Sequence, residues 1–305
     1  MNWCGYLSSI LVASILFFYG EVAAQGEIAF TSFIPGDLAA GVFPRIEKNI
    51  LDLARGNLTV LDDFPYETLG TGRYGGPFYW SPDKTRAITL SDKGVFVTDA
   101  NGGNEVLIAS TSGVDSAPDP RWSPDGTRIA LSLGPQGRRQ IYVVDENGGG
   151  LTNLSNSTSD DYLPYWSPDG TQIVFTSSQG LDTEVYLMDN GGGGRVNLTN
   201  YPDVDYLASW SPQGPWSPDG DRILFLSYRN GNSDVFVMNS DGGNPTNLTE
   251  SADSEDSPVW SPDGTRIVYV LQSFGTDGLI FGDICTMDAD GANQVNLTNS
   301  PSVRD

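Results

Sequence analysis

The chain has no histidine, and only 16 lysines and arginines stand against 39 aspartates and glutamates in 305 residues. Without histidine the usual general base and the Ser-His-Asp arrangement are unavailable. No G-x-S-x-G turn is present to carry a hydrolase serine. We therefore expect a protein that is not an enzyme. A formal charge of −23 opposes nucleic acid and anionic membrane surfaces as partners. It admits cations and basic protein surfaces, although acidity for solubility alone would give the same balance. Cysteine is scarce too: only Cys4 and Cys285 occur. The apolar stretch Leu7–Tyr19 is too short to span a bilayer comfortably. Val22 and Ala24 put small residues where a signal peptidase reads them, so residues 1–24 read as a signal peptide cleaved before Gln25. An uncleaved membrane anchor is the alternative. Cleavage removes Cys4 and leaves Cys285 alone, so the mature chain would hold no internal disulfide, and a lone strand cysteine is expected to be a small buried apolar residue. Export to the periplasm or the exterior, and no stable membrane span afterwards, are the expectations.

What is abundant is punctuation: 36 glycines and 19 prolines, with seven tryptophans. Six of those tryptophans, Trp80, Trp122, Trp166, Trp210, Trp216 and Trp260, open a W-S-P segment. Trp80 to Trp122 is 42 residues, and Trp122 to Trp166, Trp166 to Trp210 and Trp216 to Trp260 are 44 each. A period of about 40–45 residues suits a four-stranded propeller blade. In the unit led by Trp166, strands are expected at Leu163–Trp166, Gln172–Thr176, Glu184–Met188 and Arg195–Thr199. The middle strands are nearly continuous apolar runs, as expected for strands dry on both faces. Proline in S-P-D-G presets a type I turn, and Asn-Gly or Asp-Gly pairs such as Asn147-Gly148 and Asp241-Gly242 signal hairpins. Each tryptophan is expected to wedge between adjacent blades. The fold class expected is all-β: a six-bladed β-propeller of four-stranded antiparallel blades covering residues 25–305, with the first blade incomplete.

The string W-S-P-D-G-[TD]-[RQ]-I recurs at Trp122, Trp166, Trp216 and Trp260, and Trp80 opens the near match W-S-P-D-K-T-R-A-I. This resembles the PD40 (WD40-like) repeat of TolB-type six-bladed propellers, over about residues 27–305. The resemblance implies a protein-binding or scaffolding module. It also implies that turns after first and third strands share one face, while loops after second and fourth strands share the other, around a channel mouth.

Register makes two further expectations. Asn153, Asn197 and Asn247 each precede a tryptophan by 13 residues, and Asn296 has no tryptophan following it. Ile28–Thr31, Asn49–Leu53 and Leu58–Leu61 would supply only three strands to the first blade, so the sequence is expected to be truncated or to close with a three-stranded blade. The doublet W-S-P-Q-G-P, W-S-P-D-G-D at 210–221 reads as a six-residue duplication placed in the first turn. The N-L-[ST] tripeptides at Asn57, Asn153, Asn197, Asn247 and Asn296 match a glycosylation pattern, but the repeat explains them.

The loops leading into first strands are acidic. They hold Asp62 and Asp63; Asp115 and Asp119; Asp160 and Asp161; Asp203 and Asp205; and Asp253, Glu255 and Asp256. Such a ring would focus negative potential on a basic protein or peptide segment, or on a cation. A monomer is expected. No cofactor is expected, with calcium on these carboxylates as the open possibility, and with it the alternative of a calcium-dependent, lactonase-like hydrolase. Asp288-x-Asp290-Gly291-x-Asn293 lacks the downstream glutamate of a calcium loop. Zinc is not expected without histidine.

Overall fold

A computed structural model describes residues 27–34, 45–52, 57–65, 79–91, 93–111, 118–180, 182–207, 214–274 and 280–298. Residues 1–24, the loop before Pro77, Asp115 and Trp210 lie outside them.

Among the described residues every element is a strand, and every sheet is antiparallel and ordered as the chain runs. Sheet 1 has three strands, β1 (Glu27–Ile34), β2 (Arg45–Asp52) and β3 (Asn57–Pro65). Sheet 2 holds β4 (Tyr79–Trp80), β5 (Arg86–Leu90), β6 (Gly94–Asp99) and β7 (Val106–Ser110). Sheet 3 holds β8 (Arg121–Trp122), β9 (Arg128–Leu133), β10 (Gln140–Asp145) and β11 (Thr152–Asn153). Sheet 4 holds β12 (Asp160–Trp166), β13 (Gln172–Gln179), β14 (Asp182–Asp189) and β15 (Val196–Asn197). Sheet 5 holds β16 (Asp205–Tyr206), β17 (Arg222–Ser227), β18 (Asp234–Asn239) and β19 (Thr246–Asn247). Sheet 6 holds β20 (Ser254–Trp260), β21 (Arg266–Phe274), β22 (Ile280–Asp288) and β23 (Val295–Asn296).

The repeat residues account for this plan. In each W-S-P-D-G turn the serine hydroxyl donates to the aspartate, as Ser167 Oγ does to Asp169 Oδ1 at 2.6 Å, and the glycine N–H closes the turn on the serine carbonyl, as Gly170 does on Ser167 at 2.9 Å. Lys84 holds the glycine position of the first such turn and takes a left-handed φ of 59°. Middle strands are dry: Ile173, Val174 and Phe175 of β13 are all fully buried, as are Ile223, Phe225 and Leu226 of β17. Clusters of such residues fill the gaps between successive sheets.

The expected tryptophan wedge is observed with a specific geometry at Trp122, Trp166 and Trp260, but not at Trp80, which is exposed. Indole N–H groups of Trp122, Trp166 and Trp260 donate to the carbonyls of Tyr79, Arg121 and Pro215 at 2.9, 3.2 and 3.1 Å. Each acceptor directly precedes the tryptophan of the sheet before. The arginine six residues after each tryptophan then lies over the next sheet's indole: Arg86 on Trp122, Arg128 on Trp166 and Arg222 on Trp260, at 5.2, 4.8 and 4.6 Å. Further out, a hairpin glycine presses against the preceding sheet. A Cβ on Gly192, at φ 86°, would fall 2.8 Å from the Leu154 carbonyl.

Three expectations need correction. Asp62 and Asp63 are in strand β3, opposite Lys48 and Glu47, and not in a loop. The six extra residues before Trp216 do not lengthen the turn, because Ser217 to Arg222 keeps the standard bonds. Among the described residues the first strand of sheet 5 comprises β16 and an isolated Trp216–Ile223 bridge. Trp216 is buried and its indole nitrogen has no hydrogen-bond partner, unlike the other three buried or half-buried indoles described above. Fourth strands are also shorter than expected, because the N-L-[ST] hydroxyl takes over: Thr199, Thr249 and Thr298 Oγ1 accept the N–H of Val185, Val235 and Ile284 at 3.0–3.1 Å. The asparagine of that tripeptide is likewise engaged; Asn247 Oδ1 accepts from Thr249 N–H at 3.0 Å while its amide donates to Asp234 at 2.7 Å.

Candidate functional site: a carboxylate rim on the loop face

Strand direction puts the loops between second and third strands together with those leading into first strands. The W-S-P-D-G turns lie at the opposite end: in sheet 4, Asp161 pairs with Ser177 while Trp166 pairs with Ile173. The expected acidic residues therefore share one face. Most of them differ from expectation in belonging to strands: Asp160, Asp161, Asp205, Glu255 and Asp256 begin β12, β16 and β20. Asp203 and Asp253 remain in exposed loops, and Asp119 is half-buried beside β8.

Asp161, Asp205 and Glu255 each stand five residues before a repeat tryptophan. All three are at most 1% exposed. Two of them are held by backbone ties between sheets: Asp161 N–H donates to Arg139 O at 2.9 Å and Glu255 N–H to Ser233 O at 2.7 Å. A buried carboxylate needs a cation or several donors. Asp161 receives both guanidinium nitrogens of Arg195 at 3.0 and 3.1 Å, with Ser157 Oγ at 2.7 Å. Asp205 receives Arg229 at 2.8 Å, but its Oδ1 has no partner, and burial raises its pKa. Among the described residues no cation pairs with Glu255; the hydroxyls of Thr249 and Ser251 donate to it, and burial raises its pKa as well. Asp160 is paired with Arg139 at 2.6 Å. Asp256 is half-buried, raised by desolvation, and accepts from Ser257 N–H at 2.6 Å and Gln272 Nε2 at 3.2 Å.

A second row of acids escaped the sequence reading. Glu184, Asp234 and Asp283 each precede the apolar run of a third strand, and that position is the signal that could have found them. Glu184 accepts from Thr199 and from Tyr201 N–H at 2.9 Å. Asp234, 1% exposed, accepts from Asn230, Asn232 and Asn247 at 2.9, 3.2 and 2.7 Å. Asp283 accepts from Asn296 and Thr298 at 2.8 and 2.9 Å. Three arginines were missed too. Arg139, Arg195 and Arg229 lie over Tyr162, Tyr186 and Tyr201 at 3.9, 4.6 and 4.4 Å on their way to the carboxylates. The rim is thus a lattice of hydrogen-bonded carboxylates, partly neutralised from within, with exposed acids at Asp203 and Asp253. Among the described residues no group of three or more acidic or cysteine side chains converges as metal ligands.

Residues 77–215 match the family model of the TolB beta propeller domain, PD40. Over those residues the chain is similar to a TolB-type β-propeller. Solved structures agree in fold. A TolB-type protein from Agrobacterium tumefaciens superposes with a TM-score of 0.60 at 24% identity, over 83% of this chain and 88% of that one. TolB from Acinetobacter baumannii gives 0.59 at 21% identity, over 88% of this chain and 62% of its own. The propeller scaffold is shared with an enzyme as well: the oligogalacturonate lyase of Vibrio parahaemolyticus gives 0.60 at 13% identity, over 93% of this chain and 79% of that one.

Proposed function

We propose that this propeller is a binding module, periplasmic or secreted, that captures a protein partner through a basic segment seated on the carboxylate rim of sheets 4 to 6. The observation carrying this reading is the exposed pair Asp203 and Asp253, flanking the buried Asp205 and Glu255 on one face of a chain with charge −23. Buried carboxylates with few cations keep that face electronegative, and exposed ones steer the approaching segment. The TolB-like fold supports a protein partner, and the apolar segment Leu7–Tyr19 with Val22-Ala23-Ala24 supports export. No catalysis is assigned to it.

The test uses the exposed acids, because reversing buried, ion-paired Asp161 or Asp205 would unfold the rim. Binding of a lysine- and arginine-rich peptide to the full chain is measured by calorimetry at low and high salt. Asp203→Lys with Asp253→Lys is expected to abolish binding, and added salt to weaken it steeply. Binding indifferent to both would remove the proposal.

A further inference from the structure

The W-S-P-D-G turns lie on the face opposite the carboxylate rim, and there two junctions between sheets are built alike. Between sheets 2 and 3, Arg86 lies on Trp122, and its guanidinium reaches the Gly126 carbonyl at 3.3 Å and the Glu146 carboxylate at 2.5 Å. Between sheets 5 and 6, Arg222 lies on Trp260 and reaches the next hairpin at the Ala289 carbonyl, at 3.2 Å. Ala289 holds the place of Glu146. Each donates its N–H to the threonine before its sheet's arginine: Glu146 to Thr127 O at 3.1 Å and Ala289 to Thr265 O at 2.9 Å. The second junction thus has the arginine and the ring but not the carboxylate. Among the described residues no acidic side chain pairs with Arg222. An open groove of about 500 Å³ lies at this junction, lined by Arg222 and by a second arginine, Arg266 of sheet 6. Arg266 stands six residues after Trp260, but among the described residues no ring lies beneath it, unlike Arg86, Arg128 and Arg222. Its Nε is buried without a hydrogen-bond partner; Asp288 Oδ1 is 3.9 Å away, beyond hydrogen-bond reach. The two acids lining the groove are engaged within their own hairpin. Asp288 Oδ2 accepts from Asn293 at 2.5 Å, and Asp290 Oδ1 from Ala292 N–H at 3.0 Å.

We propose that the groove between Arg222 and Arg266 is a carboxylate-binding site, whose occupant takes the place over Arg222 that Glu146 fills over Arg86. The site lies on the other face from the rim and does not depend on the rim-binding reading. A guanidinium forks onto a carboxylate with paired N–H donors, and a ring beneath it leaves its edge free for them. Arg222 spends one hydrogen bond on Ala289 and retains further N–H donors, and the buried Nε of Arg266 adds another from the facing side. A free organic acid and an acidic side chain of a protein present the same group.

The experiment follows the arginine Nε–H resonances of the nitrogen-15-labelled full chain by NMR. The chain is titrated with glutarate, with acetyl-Gly-Glu-Gly-amide, and with sodium chloride at matched ionic strength. Saturable shifts of the Arg222 and Arg266 resonances are expected with a carboxylate and not with chloride, with a dissociation constant of about 1 mM. Tighter binding of glutarate assigns the site to a small acid, and tighter binding of the peptide to an acidic side chain. Arg222→Met is expected to weaken binding about 10-fold. Ala289→Glu supplies the carboxylate from within, as Glu146 does, and is expected to raise the melting temperature and to block both ligands. If Ala289→Glu does not fold, the titration of the unaltered chain and of Arg222→Met still decides. Shifts that chloride reproduces, or carboxylate binding unchanged by Arg222→Met, overturn the site.

Discussion

The guanidinium of Arg128 lies 4.8 Å from the indole of Trp166, and that indole in turn donates to the carbonyl of Arg121 at 3.2 Å. One blade thus holds the next by a backbone hydrogen bond and by a cation over a ring, both supplied by letters of the repeat. Where a letter changes, the fastening changes. Gln172 replaces the arginine in sheet 4, and the indole it would face, Trp216, lacks its hydrogen bond.

Removing the cation elsewhere should weaken the fastening. Arg128→Met is expected to destabilise the propeller by about 1 kcal/mol, and Gln172→Arg to stabilise it by a similar or smaller amount. Urea unfolding of the two variants, with matched m-values, checks this; equal midpoints for all three proteins would contradict it.

Close backbone approach between blades predicts a steric effect. Gly192→Ala places a methyl group 2.8 Å from the Leu154 carbonyl at φ 86°, so a loss of about 2–3 kcal/mol is expected. Gly180→Ala, at φ 72° with open space around it, should lose only about 1 kcal/mol. Conversely Lys84→Gly relieves a left-handed lysine and should raise the melting temperature.

The Asp161–Arg195 pair should behave as a buried one. Asp161 is fully buried, so Arg195→Met is expected to cost about 3–5 kcal/mol by stranding its charge. Adding Asp161→Asn to that variant should restore much of the loss. A double-mutant cycle with Arg86 and Glu146, whose side chains are 27% and 34% exposed, should give less than about 1 kcal/mol.

Stability should pass through a maximum on the acid side of neutrality. The turn aspartates Asp83, Asp125, Asp169, Asp219 and Asp263 are held low by serine hydroxyls, Asp83 down to about 2. Their contribution is present above the unfolded carboxylate value and is lost as pH falls towards theirs. Burial raises Glu184, Asp205, Glu255 and Asp256, whose charged forms therefore disfavour the fold; stability is gained as pH falls through their folded values. Melting temperatures from pH 8 to 2 should rise and then fall, and Glu255→Gln should flatten the rise. A steady decline from pH 7 downwards would contradict this account.

The blade period, the tryptophan-led turns, the dry middle strands and the side of the fold that gathers acid were legible in the sequence, because each is a local rule repeated at a fixed spacing. Even the positions of Asp161, Asp205 and Glu255 were legible as acids in register. What the sequence did not disclose is which of those acids are free. Arg195 comes from a hairpin at the far end of its own blade, Arg139 from the blade before, and Arg229 from a different loop again. Their meeting with Asp161, Asp160 and Asp205 depends on side chains laid across sheet faces, and no spacing along the chain encodes that. Local periodicity fixed the architecture; desolvation between neighbouring blades, a property of the packed sheets alone, decided which charges remain for a partner.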